Sequence, residues 1–316
     1  HVLDWQTLDM NRHGKYDRPT GPQFSQSFTP GKPFFYGKGL TFINCGSDLI
    51  YAGGWLTHFT QDADAWRWTQ ALANQYVRAR DPKTGLGAYQ YSQTRQDKVP
   101  TDDTHTASFF GDRCKRQFGP EFGERALEGR MLDPGRCTLI YGRATLAQLR
   151  LCQLLGAAAT DLLESQRAGL VAFARHAYDG EQNLLLPQFT DGTRLSPADI
   201  RRPGYYKPEA LEPKPAPPEF LLSAILAACL TGDSECWTLA RTLARHQDLG
   251  DLGSGPEAIP QVNLNTTTTS PVTLLAVLEL QRHHPHANLL ALARRLGDNL
   301  LAQHWHHGYF LPSAKH

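Results

Sequence analysis

The sequence predicts an all-α protein, an (α/α) barrel or toroid built from helical hairpins and incomplete in this chain. Three observations predict it. Apolar residues recur at helical spacing through most of the 316 residues. The helical stretches come in pairs with short joints. Strand-like patterns are confined to residues 87–93 and 308–311. A superhelical solenoid is the rival architecture, but no fixed sequence period recurs.

The first pair is residues 39–60, a long apolar stretch, and 62–79, which carries Trp66 and Trp68. The second is 138–155, with Ile140, Leu146, Leu149 and Leu155 near helical spacing, and 160–178, with Leu163, Leu170, Ala174 and Ala177 on one face. The third is 219–230 and 234–246, where Asp233 or Ser234 would cap the second helix by accepting its unpaired N–H groups. Ser270 and Pro271 open a helix to about residue 284, since proline at the first helical position lacks only an N–H that would go unpaired anyway. Leu289, Leu292, Leu296 and Leu300 mark the last helix. Irregular stretches cover residues 15–38, 94–136 and 197–218; loops this long in a compact domain carry function or are disordered. The third holds Pro203, Pro208, Pro213, Pro215, Pro217 and Pro218, and reads as an ordered wrap or a linker, the wrap being favoured because the helical patterns on both sides are alike. Residues 1–316 are read as a single domain, part of a barrel.

Composition bounds the function. Hydrophobic residues make up 41% and charged residues 20%, an ordinary globular balance. Lys and Arg number 32 against 31 Asp and Glu, so the formal net charge is +1. Global charge gives no reason to expect nucleic acid, and cations for a polyanionic ligand must be gathered locally. No apolar run reaches the length of a membrane-spanning helix, and a monomer without membrane or nucleic-acid partners is expected. Cys45, Cys114, Cys137, Cys152, Cys229 and Cys236 form no C-x-x-C pair and read as buried thiols rather than a disulfide framework. The chain opens at His1 and stops at His316, and is expected to be a piece with material missing at both ends.

Two segments gather chemistry. Arg12 and His13 are followed by Lys15, Arg18, Lys32 and Lys38, interleaved with Phe24, Phe28, Phe34, Phe35 and Tyr36. Aromatic faces beside cations suit an acidic sugar: the ring stacks and the carboxylate takes charge-assisted hydrogen bonds. The plainer reading is a loop packed by its own aromatics. The second segment, residues 111–123, holds Arg113, Lys115 and Arg116 with Asp112 and Glu121 among glycines, and arginine is the usual partner for a bidentate carboxylate. An internally salt-bridged loop is the plainer reading here. No HExxH, CxxC or EF-hand spacing marks a metal site. Asp48, Asp102, Asp103 and Glu121 are conceivable hydrolytic carboxylates, with nothing in their spacing to single out a pair.

A series of short stretches in order along the chain carries a resemblance. They include His1-Val2-Leu3-Asp4-Trp5, Asn11-Arg12-His13-Gly14-Lys15-Tyr16, Gly46-Ser47-Asp48-Leu49-Ile50-Tyr51, Arg80-Asp81, Thr84-Gly85-Leu86-Gly87 and Tyr89-Gln90. Arg116-Gln117-Phe118-Gly119-Pro120-Glu121-Phe122-Gly123 is the most specific, and Asp191-Gly192, Gly204-Tyr205-Tyr206, Leu252-Gly253-Ser254 and Val262-Asn263-Leu264 continue the series. Together they resemble the pectate lyases of polysaccharide lyase family 2. The resemblance implies an (α/α) barrel that cleaves α-1,4-linked polygalacturonate by β-elimination to 4,5-unsaturated oligogalacturonides. It implies that Arg12 is the catalytic base and His13 a ligand to a divalent transition metal, manganese being the expected one. The family's other metal ligands, a histidine and a glutamate, lie upstream of the segment that begins at His1. Arg113, Arg116, Lys15 and Lys38 are the expected partners of substrate carboxylates. The alternatives are a uronate-specific glycoside hydrolase on the same fold and a non-catalytic oligogalacturonate-binding protein. The compartment is expected to be periplasm or cytoplasm.

Overall fold

The structure, a computed structural model, describes residues 40–92, 122, 129–201 and 206–312. Among these, eight long helices carry the fold: α1 Ile43–Thr60, α2 Ala63–Arg78, α3 Thr145–Leu155, α4 Thr160–His176, α5 Glu219–Thr231, α6 Ser234–His246, α7 Pro271–His283 and α8 Ala287–His304. A helical turn Pro134–Cys137 and a π-helical segment Thr138–Ala144 run directly into α3. The first helices of the four hairpins touch one another in the order α1, α3, α5, α7, and the second helix of each packs against its own first. In the back layer α4 touches both α2 and α6. An inner row backed by an outer row is the (α/α) toroid expected of the sequence.

Side-chain pattern assigns each helix to its row. In α5 every residue from Phe220 to Ala228 is buried, so the helix is apolar on all sides and suits the middle of the inner row. In α6 burial follows one stripe, Cys236, Trp237, Leu239, Ala240, Leu243 and Ala244, which suits a helix with one face in water. Helices α1 and α2 approach closely because Gly46 lies against Tyr76 and Gly53 against Thr69, where any side chain would collide.

The two ends of the row differ. At one end the joints are short, and local caps close them. Asp233 accepts the N–H groups of Glu235 and Cys236 at 2.9 Å each, and Gly232 ends α5 with a φ of 70°. At the other end lie all the long connections, tied by antiparallel pairs only two or three residues long. These are β1 Leu40–Phe42 with β2 Gln90–Ser92, β3 Met131–Leu132 with β6 Gln188–Phe189, β5 Leu184–Leu185 between β4 Tyr178–Asp179 and β7 Lys214–Pro215, and β8 Gly250–Asp251 with β9 Gln261–Val262. After α8, β10 Trp305–His306 pairs with β11 Tyr309–Phe310.

The expected strand at 87–93 is thus shortened to Gln90–Ser92, and that at 308–311 to Tyr309–Phe310. The 39–60 stretch splits, its first residues forming β1 before the helix begins at Ile43. Asp133 ends the irregular 94–136 stretch early by capping the turn at Pro134, its carboxylate 3.1 Å from the Arg136 N–H. The described part of the proline-rich stretch is an ordered wrap, paired to β5 through Lys214 and Pro215 and anchored by buried Leu211. Cys137, Cys152 and Cys236 are buried and Cys229 is partly buried, and all four carry free thiols. Burial pushes the thiols of Cys152, Cys229 and Cys236 up to about 12, so they stay protonated and inert.

Candidate active site

The long-connection end rests on an aromatic stack. Phe173, at the C-terminal end of α4, lies 4.7 Å from the ring of Phe220, 5.0 Å from Tyr141 and 5.7 Å from Tyr178. All four rings are buried, and the Tyr141 hydroxyl accepts the Gly87 N–H at 2.8 Å. Burial, the largest influence, drives the Tyr141 phenol upward, so it serves as a neutral hydrogen-bonding post.

Above that floor a second, smaller core joins Phe122, Met131, Phe189, Tyr206 and Leu211. Three hydrogen bonds close around it: Thr84 Oγ1 donates to Thr190 O at 2.5 Å, Thr190 N to Arg130 O at 2.7 Å, and Tyr89 N to Gly129 O at 2.9 Å. The buried Arg136 guanidinium is sandwiched at 4.8 Å from the ring centre of Tyr89 and 5.0 Å from that of Tyr206, and donates to Met131 O at 2.9 Å. Several stretches that carry the family resemblance, at 84–90, 122, 191–192 and 206, therefore meet in one structural plug. Their shared role is to hold the bases of the long connections.

The inner row presents one face away from the outer helices. On α1 the residues turned that way are Asp48, Tyr51, Trp55 and Phe59, spaced by three and four; Trp55 and Phe59 stack at 5.3 Å, and Tyr51 meets Trp55 edge-on at 6.2 Å. On the π-helical segment and α3 they are Leu139, Arg143, Ala147 and Arg150. At the short-joint end of this face Arg150 reaches Glu279 of α7 at 2.5 Å. Near the long-connection end Arg143 stands 3.7 Å from Glu219, the first residue of α5.

The π-helical segment is clamped from both sides. Ser47 of α1 donates to Ala144 O at 3.2 Å, and Ser223 of α5 donates to Gly142 O at 2.9 Å. Thr145 Oγ1 donates to Ile140 O at 3.0 Å, adding a second bond to the carbonyl that already accepts the Thr145 N–H across the wider turn. A π-turn is an unfavourable geometry that persists mostly at functional sites, and here three hydroxyls hold it in place.

The complete chain, residues 1–316, matches the family described as periplasmic pectate lyase, and the chain belongs to that family. The pectate disaccharide-lyase of Dickeya dadantii (strain 3937) is 36% identical over 328 residues, which cover 100% of this chain and 57% of that protein. The chain thus spans just over half the length of the curated relative it matches. Among solved structures, the cellobiose 2-epimerase from Bacillus thermoamylovorans B4167 aligns with a TM-score of 0.47 and 8% identity, over 87% of this chain and 63% of that one. A GH76 α-mannanase of Bacteroides thetaiotaomicron aligns with a TM-score of 0.47 and 9% identity, over 99% of this chain and 69% of that one.

Arg12, His13, Lys15, Lys38, Arg113 and Arg116, the site residues expected from sequence, all lie outside the described residues. Of the conceivable hydrolytic carboxylates only Asp48 is described, exposed on the inner face. Among the described residues no group of three or more His, Cys, Asp or Glu side chains could hold a metal ion, and His13, the expected manganese ligand, lies outside them. No described helix is long and apolar enough to cross a membrane. Sequence reasoning missed Arg143, Glu219 and the α1 aromatics. Their signal was present as polar and aromatic residues at three-and-four spacing inside helices otherwise built for burial.

Proposed function

We propose that the protein carrying this chain is a periplasmic pectate lyase that cleaves α-1,4-linked polygalacturonate by β-elimination and releases a disaccharide. The observation that carries the reading is the match of all 316 residues to the family, together with the name of the Dickeya dadantii relative.

In this reading Arg12 takes the proton from C5 of the uronate at the cleavage point. The C5–H electron pair becomes the C4=C5 double bond, the C4–O bond breaks, and the departing oxygen takes a proton from water. Arg113, Arg116, Lys15 and Lys38 hold substrate carboxylates, lowering their negative charge so that the adjacent C5 proton becomes removable. Arginine is ordinarily always charged. Clustered cations with burial favour its neutral form, which the base role requires. His13 is the proposed ligand of a divalent transition metal, manganese, which when bound would help withdraw charge from the uronate carboxylate.

The test is turnover of polygalacturonate by the full-length protein, read as an ultraviolet-absorbing unsaturated product that hydrolysis would not give. Arg12→Lys should lower kcat by about 10²–10⁴-fold while leaving calorimetric binding of oligogalacturonate near wild type. Near-normal turnover in that variant removes Arg12 from the base role. Reducing sugar without an unsaturated chromophore overturns the lyase reading in favour of hydrolysis.

A further inference from the structure

We propose that Arg143 is a binding residue for a uronate carboxylate on the inner face of the helix row, with Glu219 as its positioning residue. This rests on the reading of polygalacturonate as substrate and adds a contact to it.

Four observations converge. Arg143 projects from the π-helical segment, whose backbone is pinned by Ser47, Thr145 and Ser223. The origin of the side chain is therefore fixed before any ligand arrives, so little ordering remains to be done on binding. Second, the guanidinium is open: its side chain is 64% exposed although it stands on an inner-row helix. Third, the contact with Glu219 is made by Nε at 3.7 Å, beyond hydrogen-bond length, and the two terminal nitrogens show no hydrogen bond among the described residues. A loose, exposed pair of this kind adds little stability. It does orient the planar group and leaves the two terminal nitrogens as a fork, the geometry that a carboxylate accepts bidentately. Fourth, the neighbouring inner helix offers Tyr51 and Trp55 on the same face, and aromatic faces stack on sugar rings.

Of the other arginines on described inner-row helices, Arg282 stands in the last turn of α7 at the short-joint end, with a terminal nitrogen turned to Glu279 at 4.0 Å. Arg150 is committed to Glu279 at 2.5 Å and to Gln153 at 3.0 Å. Arg136 is buried between two tyrosine rings.

The experiment compares Arg143→Gln, Arg143→Lys and Glu219→Gln with wild type in the full-length protein. The probes are polygalacturonate and the same polymer with its carboxylates methyl-esterified. Loss of a charge-assisted pair raises KM for polygalacturonate in Arg143→Gln by about tenfold to a hundredfold, with kcat changed by less than about twofold. Arg143→Lys, which keeps the charge but not the fork, falls between, and Glu219→Gln gives a smaller rise in KM. On the esterified polymer the Arg143→Gln penalty shrinks, because the missing partner is the ionised carboxylate. An unchanged KM for polygalacturonate in a folded, active Arg143→Gln variant overturns the proposal. If wild type yields no unsaturated product, the lyase reading has failed on its own. Calorimetry with trigalacturonate then decides the contact: weaker binding in Arg143→Gln upholds it, and equal binding overturns it.

Discussion

The two ends of the helix row solve opposite problems with the same polypeptide. At the short-joint end the chain reverses within a few positions, and nearby side chains, Asp62, Asp233 and His286, cap the starts of α2, α6 and α8. At the long-connection end local caps such as Asp133 and Ser270 start helical segments but do not span the connections. Strands of two or three residues, the Phe122 cluster and the Arg136 sandwich tie together segments far apart in sequence. The first end sets the order and spacing of the helices. The second ties long connections to the core beneath them. The difference teaches that the stability of this end is imported from the floor on which it rests.

The floor is therefore where the largest effect is expected. Phe173 is fully buried and touches three rings. Phe173→Ala should destabilise the protein by about 3–5 kcal/mol, the usual cost of emptying a packed aromatic site. Urea unfolding followed by tryptophan fluorescence measures it. A loss below about 1 kcal/mol would show that the long connections do not depend on this stack.

The same contrast explains what could be read in advance. The helices were legible because burial of an amphipathic or wholly apolar helix leaves a periodic trace, as at Leu289, Leu292 and Leu296, all buried in α8. The starts of α6 and α7 were legible, the first from Asp233 or Ser234 as its cap and the second from Ser270 and Pro271, because a helix start is marked locally by a side chain that accepts the next few N–H groups or by a proline that has none to satisfy. The paired strands at Met131–Leu132 and Gln188–Phe189 were not, because two residues cannot show alternation and the partner lies far along the chain. The motif stretches at 84–90 and 206 stood out by resemblance alone, and only the Arg136 contact shows that Tyr89 and Tyr206 serve packing. Arg143 was hidden for another reason. One exposed arginine in an apolar helix reads as a solvated surface residue until the inner and outer faces are known.

A moderate effect is expected at the opposite end. Asp233 accepts two N–H groups of α6 and also meets Arg167 of α4 at 2.8 Å. Asp233→Ala should cost about 1 kcal/mol, since the cap is lost and the arginine is already shared with Glu164. Thermal unfolding reads the change. A cost near that of Phe173→Ala would erase the distinction between locally closed and globally supported ends.

The smallest effect is a dependence on pH, and it reports on the long-connection end alone. Asp251, in β8, accepts a hydrogen bond from Arg241 Nε at 3.0 Å, and it also pairs with Arg245 and receives the Gly253 N–H at 2.8 Å. The arginine contacts, that of Arg241 foremost, outweigh partial burial and hold its carboxyl well below the usual range. A folded-state pKa below the unfolded value of about 3.9 means that the contribution is complete above that value. It fades as pH falls through the folded-state value. The side chain of Asp251 is 32% exposed and that of Arg245 is 52% exposed. Solvent screening therefore limits the gain to about 1 kcal/mol or less. Asp251→Asn should lower stability at pH 6 by that amount and flatten the decline between about pH 4 and pH 2, as followed by urea unfolding at each pH. The same acid slope in wild type and variant would mean that β8 and β9 are held by their backbone ladder, and that the aspartate adds nothing to this end of the row.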